Sequence, residues 1–410
     1  MNLAVILSAC RTPIGSFGGS LKEFSAADLG AIVVKEAITR AGVQARDVGD
    51  VILGCVLQAG AGMNVARQAA LKAGVPAEVP AETVNRVCGS GLQAVAHATE
   101  TIGMGYTDLV VAGGTESMTN APYVAKGVRA GLRMGHGELM DTMVGDGLTC
   151  AIGNCHMGMT AEEVAARYHI SRADQDAFAA ESQRRAGEAI EQGRFRDEIV
   201  PVPIPQKKGD PVLFDTDEYP RAGTTADKLA ALRPAFKKDG SVTAGNASGI
   251  NDGAAALVVA SRAKAAESGR APLATILSYA TVGVDPAIMG MGPVPAVRLA
   301  LDRARVEATD VALFELNEAF AAQVIANRIA FESEEFARRE LGRDAPAGRL
   351  DPAKLNVNGG AIALGHPVGA TGARLVLTLL RELERSGLRR GLATLCVGGG
   401  QGAAMVVERR

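Results

Sequence analysis

Two cysteines and one histidine occupy positions from which a side chain can react. Cys88 lies in NRVCGSGLQAV, where Gly89 and Gly91 permit a tight turn and the run from Leu92 to Ile102 carries helical periodicity. A thiol there stands at a helix N-terminus. The positive end of the helix dipole and its free N–H groups favour a thiolate, lowering a pKa that is about 8.5 in free cysteine. The same N–H groups can donate to an oxyanion. The plainer reading is a buried cysteine packing as a small hydrophobe. His366 is pinned between Gly365 and Pro367 in NGGAIALGHPVGATGAR, ahead of an amphipathic run from Arg374 to Leu380. So apolar a loop is a poor place for a solvated histidine. Cys396, in LCVGGGQG, ends an apolar strand and precedes three glycines, where an open α/β sheet places its ligand site. A strand-end core cysteine is its plainer reading.

Other clusters carry less. Cys150, Cys155 and His156 offer only three metal ligands at a spacing unlike the common zinc patterns, so no metal is expected. The glycines from Gly398 to Gly402 follow no first βα turn and have no acidic residue about 20 positions on, so a dinucleotide fingerprint is weak here. His97, His136 and His169 have no partners in the sequence and read as structural.

The elements that must hold these groups come in two copies. ADLGAIVVKEAITRAGVQARDVGDVILG in the first quarter matches PVPAVRLALDRARVEATDVALFELN in the last third, with Ala37, Arg40, Ala41 and Val43 aligned on Ala300, Arg303, Ala304 and Val306. Just upstream, AVILS at Ala4 matches ATILS at Ala274. Each copy reads strand, amphipathic helix, strand, then a glycine-rich turn, a second helix and a strand ending in glycines. That is the grammar of an α/β fold. Between the copies, roughly from Met118 to Ser248, lies material without a counterpart, including the helical MTAEEVAARYHISRADQDAFAAESQRRAGEAI, whose polar content predicts a solvent-exposed lobe.

Composition sets the outer bounds. The 410 residues are 47% hydrophobic and 21% charged, as in ordinary globular proteins, which excludes disorder and a disulfide scaffold. A net charge of −2 offers no basic footprint for nucleic acid or an anionic membrane. Leu3 to Ala9 is too short to span a bilayer and follows no basic residue, so a cytoplasmic location with six reduced cysteines is expected.

Several strings in order make the chain similar to one family: ACRTPIGSFGGSL, NRVCGSGLQAV, GGTESMTNAPY, HMGMTAEEVA, VTAGNASGINDGAAA, GVDPAIMGMGPVPA, NEAFAAQ, NVNGGAIALGHPVGATGAR and CVGGGQGAA. The sequence resembles the thiolases over its whole length, most closely the short-chain biosynthetic acetyl-CoA acetyltransferases. The resemblance implies an α/β, thiolase-like fold: two duplicated halves in a five-layered αβαβα arrangement with an inserted loop domain. The expected units are 1–118 completed by 249–272, a loop domain over 119–248 covering the coenzyme A site, and 273–410.

Carried onto this chain, the resemblance implies that Cys88 is the nucleophile that takes an acyl group from acyl-CoA, and that His366 activates it. Asn317 of NEAF completes an oxyanion hole with His366 by holding a water, and Cys396 exchanges the α-proton of the second acetyl-CoA. The backbone N–H groups of Cys88 and Gly398 form the other oxyanion hole. His156, Met157, Arg221, Ala244, Ser248, Ala319 and Phe320 match positions lining the coenzyme A and acyl sites. No cofactor is permanently bound; acetyl-CoA, acetoacetyl-CoA and CoA are the expected partners, and a homodimer or homotetramer the expected assembly.

The chain departs from the family pattern twice. A charged helical stretch follows NEAFAAQ, with exposure expected for residues 331–350, and DGLTCAIGNC from Asp146 to Cys155 replaces the family's usual aromatic and acidic residues. Three rivals remain at this level: a degradative 3-ketoacyl-CoA thiolase, a decarboxylating condensing enzyme, which usually has a histidine or asparagine in place of Cys396, and a non-catalytic acyl-CoA binder.

Overall fold

The computed structural model describes residues 4–409. Strands that alternate apolar residues on two faces can be covered by helices on both sides, and the chain does this twice. Its main sheet runs, in spatial order, through Leu313–Leu316, Arg390–Val397, Gln401–Glu408, Ala274–Gly283, Val5–Arg11, Asn251–Ala260, Leu109–Ser117, Asp50–Gly54 and Ala81–Val84, with Gly15–Ser16 pairing beside Asn251. Among the described residues the two wings join where Val5 and Ile6 face Thr275 and Ala274. The strands that seemed duplicated in the sequence are therefore central neighbours, running antiparallel.

Alternation assigns the faces. In the first wing Ile52, Ala112 and Leu257 point to a central layer, while Val51, Leu53, Val111 and Val258 point outward. In the second, Leu395 and Met405 point to the centre, and Leu392 and Val406 outward. The central layer is a pair of packed helices, Ser90–Gly103 and Val368–Arg385. Outer layers are made by Ala26–Ala41 with Val65–Lys72 on one side and by Pro293–Ala304 with Ala321–Glu332 on the other. Five layers, αβαβα, result.

The outer helices behave as their sequences predict. Ala26–Ala41 starts at a capping box between Ser25 and Asp28, ends at the left-handed Gly42 and buries Leu29, Val33, Val34, Ala37 and Ile38. Each fully buried Leu or Val there contributes about 1.5–3 kcal/mol. The central helix departs from expectation. Every residue from Val368 to Leu380 is buried, so the amphipathic run from Arg374 to Leu380 faces protein on all sides. Sandwiching between two sheet wings is the reason, and Arg374 is tolerated because Glu315 meets it at 3.2 Å.

The inserted region is also less exposed than its polarity implies. Arg172–Glu191 buries Gln175, Asp176, Ala179, Ser182, Ala186 and Ala189, the polar members finding partners: Asp176 accepts from Asn246 at 2.9 Å, and Ser182 donates to Glu318 at 2.6 Å. In the charged stretch, Glu334, Glu335, Arg338 and Arg339 are exposed, while Ala337 is buried and Phe336, Ala347 and Leu350 join the outer core of the second half. Among the described residues no helix is long and apolar enough to cross a membrane.

Candidate active site

The turn Asn85–Gly89 feeds the first central helix. Its Val87 adopts φ 46°, a left-handed conformation costly for a β-branched residue, and the Arg86 and Val87 peptides are held by Ser90, whose hydroxyl accepts from Arg86 N–H at 2.8 Å and donates to the Val87 carbonyl at 2.6 Å. This turn presents Cys88 just ahead of a helix whose N-cap is Gly89. The backbone N–H groups of Gly398 and of Cys88 itself lie near enough to its sulfur to favour the ionised form. Gly398 comes this close because it lacks a side chain: a Cβ there would stand 3.2 Å from Val87 Cγ1 and 3.3 Å from Met157 Sδ.

The thiolate expectation is corrected here. Burial pushes the Cys88 thiol up to about 11, outweighing the two N–H groups that pull it down, with Glu116 adding to the rise. Cys88 nevertheless keeps part of its surface exposed, so water offsets some of that penalty. At rest the sulfur carries its proton.

His366 comes from the equivalent turn of the second half. Gly365 adopts φ 102°, and a Cβ on it would overlap the Asn251 side chain at 2.5–2.6 Å; that side chain accepts from the His366 N–H at 3.0 Å. Thr371, one turn into the helix, donates to the Pro367 carbonyl at 3.0 Å and lies 2.7 Å from His366 Nδ1. Its hydroxyl proton being committed to Pro367, Thr371 accepts from Nδ1–H, which leaves a lone pair on Nε2. Asn317 Nδ2 sits 3.4 Å from that Nε2, and Asn317 Oδ1 is buried without a protein partner. Burial, reinforced by Arg374, pushes His366 down to about 3, so the imidazole is neutral.

Cys396 is buried near the end of Arg390–Val397, close enough to Cys88 for the charge of one to raise the pKa of the other; burial is the larger cause. It packs with Met157, Ala319 and Phe320. Above these groups opens a cavity of about 530 Å³. His156, Met157, Arg221, Ala244, Ser248, Phe320 and His366 line it, and Cys88 packs against the apolar cluster that contains two further lining residues, Met118 and Val368. Cys396, Asn317, Gly398 and Ala319 are not among its lining residues. A second cavity, about 330 Å³ between Arg172–Glu191 and Ala321–Glu332, contains neither a sulfur nor an imidazole. The larger one is the site.

Its rim is tied down by charge. Arg11, buried, donates to Asp217 through both terminal nitrogens at 2.7 and 2.9 Å and to Glu198 at 2.8 Å. Glu218 accepts from the N–H groups of Ser16 and Ser20, fixing Phe17 opposite Tyr219 and Arg221. Arg221 is exposed beside the Tyr219 ring. His156 stacks on Phe236 with ring centroids 4.6 Å apart, and its Nδ1 accepts from Gly158 N–H, so Nε2 carries the proton. Among the described residues no group of His, Cys, Asp and Glu is placed to hold a metal ion.

Sequence reasoning missed Thr371, Glu116 and Phe236. Thr371 lies five residues past His366 inside the motif itself, so helical spacing gave a signal. Glu116, pushed up to about 7 by burial, accepts from Val56, Leu57 and Gly369 N–H groups and thereby bolts the two halves together. Phe236 stands in a loop with no pattern to find it by. His97, read as partnerless, has Glu82 at 3.1 Å.

Two family models account for this frame: the thiolase N-terminal domain matches residues 4–263 and the thiolase C-terminal domain residues 270–409. The chain belongs to the thiolase family. Among curated relatives, thiolases named acetyl-CoA acetyltransferase from Pseudomonas aeruginosa and Cupriavidus necator are 55% and 54% identical over 409 and 410 residues, spanning 100% of each chain. The crystal structure of the Bacillus anthracis acetyl-CoA acetyltransferase superposes with a TM-score of 0.93 at 46% identity, covering 100% of this thiolase and 99% of that chain.

Proposed function

We propose that this thiolase condenses two acetyl-CoA into acetoacetyl-CoA and CoA through an acetyl-Cys88 intermediate, and runs the same steps backward as thiolysis. One observation carries the reading: Cys88 lies where two backbone N–H groups favour its ionised form, with a second thiol beside it and an imidazole lone pair in the adjoining wall.

Nε2 of His366 takes the Cys88 proton as the sulfur attacks the thioester carbonyl. The N–H groups of Cys88 and Gly398 stabilise the oxygen that becomes negative. The proton passes to the departing CoA sulfur, leaving one thioester in exchange for another of similar energy. Cys396, having passed its own proton to the neutral His366, then takes the α-proton of the second acetyl-CoA; the carbanion attacks the acetyl-Cys88 carbonyl, and the Cys88 sulfur released as that thioester breaks takes the proton back from His366, the same steps running in reverse in thiolysis. Asn317, with a free Oδ1, and His366 hold the enolate-side oxygen through a water. Arg221 at the rim faces the phosphates, and Ala244, Ser248, Ala319 and Phe320 leave a narrow, weakly polar passage for pantetheine.

Exposed apolar residues Tyr123, Leu132, Met134 and Leu139 on the arm within residues 119–141 support assembly as a homodimer or homotetramer. Sedimentation at micromolar concentration tests this, a monomer counting against it. A cytoplasmic location agrees with the supply of acetyl-CoA.

The deciding test is thiolysis of a chain-length series of 3-ketoacyl-CoA by the purified protein and by Cys88→Ala. A preference for acetoacetyl-CoA, abolished in the variant, is expected. Equal turnover of long substrates would move the enzyme to the degradative branch, and no turnover would make it a binder. Cys396→Ala should still acylate Cys88 while condensation stops.

A further inference from the structure

Residues 146–155 carry two cysteines close in sequence, and the structure gives the pair a geometry. Thr149–Cys150 pairs antiparallel with Cys155–His156, and the register sets Cys150 directly opposite Cys155. Residues facing each other in such a pair have Cα atoms about 4.5–5.5 Å apart, inside the range that disulfides span. Both are free thiols, and their sulfurs converge: the position a Cβ on Gly153 would take lies 3.4 Å from Cys155 Sγ and 4.0 Å from Cys150 Sγ. Gly153 N–H also donates to Cys150 Sγ at 3.4 Å, a contact that strengthens on a thiolate.

We propose that Cys150 and Cys155 form a reversible disulfide across the hairpin that walls the coenzyme cavity. Exposure sets the order of events. Cys155, partly exposed, meets a hydroperoxide first: its thiolate displaces one peroxide oxygen as hydroxide and becomes a sulfenic acid. Cys150, buried beside it, attacks the sulfenic sulfur, forming the S–S bond and releasing the second oxygen as hydroxide. The two thiols thus give up two protons and two electrons, the oxidant, when it is hydrogen peroxide, is reduced to two waters, and a dithiol reverses the change.

The consequence falls on the cavity wall. Leu148 precedes the pair and His156 follows it, and both line the cavity. Pulling the two strands together moves His156 against the Phe236 ring on which it stacks. Cys150 itself packs in the cluster that holds Met157, Phe320 and Cys396. Oxidation therefore loosens the fit of the CoA thioester without touching Cys88 or His366.

The activity half of the test rests on the proposed thiolase reaction; the chemical half does not. Purified protein is exposed to a small excess of hydrogen peroxide, its thiols are alkylated, and it is digested with trypsin. Residues 134–167 form one tryptic peptide that contains both cysteines. That peptide should be lighter by two hydrogens, about 2 Da, with neither cysteine alkylated, and dithiothreitol should restore both. In thiolysis of acetoacetyl-CoA, KM should rise about threefold with a smaller change in kcat, returning on reduction. Cys155→Ser should show no such peptide, and its ratio of oxidised to reduced KM should stay at unity. Two alkylated cysteines after exposure, or irreversible sulfinic acid at Cys155, would overturn the disulfide. A disulfide with KM unmoved would overturn its role at the wall. Absent turnover in the reduced enzyme would instead strike the thiolase reading, leaving the peptide result to stand on its own.

Discussion

The two central helices start alike and deliver different chemistry. Cys88 stands two residues before Ser90–Gly103, and His366 two residues before Val368–Arg385. Both therefore feel the positive end of a helix dipole. On a thiol that field favours loss of a proton, whereas on an imidazole it disfavours gain of one. One duplicated position thus supplies a nucleophile in one half and a neutral base in the other, and burial then sets the balance. With Cys88 up near 11 and His366 down near 3, the resting pair is thiol and imidazole rather than thiolate and imidazolium. The proton moves only when a thioester arrives to receive the sulfur.

The supports also differ. The first turn is held by Ser90 and a strained Val87, the second by Thr371, Pro367 and Asn251. The first leaves its sulfur partly open, while the second locks a ring. A nucleophile must be reached by substrate, whereas a base must only be aimed.

The sharpest way to break the comparison is to exchange its chemistry. Cys88→Ala should lower kcat by ~10⁴-fold or more while calorimetry still detects CoA binding. Retained turnover would show that the first turn is not the reactive one. His366→Asn keeps a polar side chain but removes the lone pair, and should cost about 10³-fold in acylation measured by single-turnover release of CoA.

The resting protonation state gives a pH test. Because the Cys88 pKa is raised, the thiolate is the minority form below about pH 11, and its fraction should grow about tenfold per pH unit. Inactivation by iodoacetamide should therefore still be accelerating at about pH 9. A plateau reached below about pH 7 would mean that the dipole overcomes burial and that an ion pair exists at rest. The smallest effect belongs to the supports. Thr371→Val removes the acceptor of Nδ1–H and should lower kcat by roughly tenfold with little change in KM; Thr371→Ser, which restores a hydroxyl, should recover most of it.

Much of this was legible in the sequence because the information is local. Gly89 and Gly91 around Cys88, Gly365 and Pro367 around His366, and the glycines after Cys396 dictate turns from backbone sterics alone. The matched segments around Ala37 and Ala300 revealed the duplication because apolar periodicity is written residue by residue. The capping of Ala26–Ala41 by Ser25 and Asp28 follows from the same short range.

What only the tertiary structure decided depends on groups far apart in the chain. The protonation of Cys88 is set by desolvation, a property of everything packed around it, and so reversed the expectation drawn from its helix alone. Arg374 and the polar side of its helix became interior because a second sheet wing covers a face that the 3.6-residue pattern marks as outward. Glu116 and Phe236 acquired partners only once distant segments met, Gly369 of the second half for the carboxylate and His156 and Phe320 around the ring. A sequence specifies which turns and faces can form; which charges lose their water is fixed by the packing of the whole.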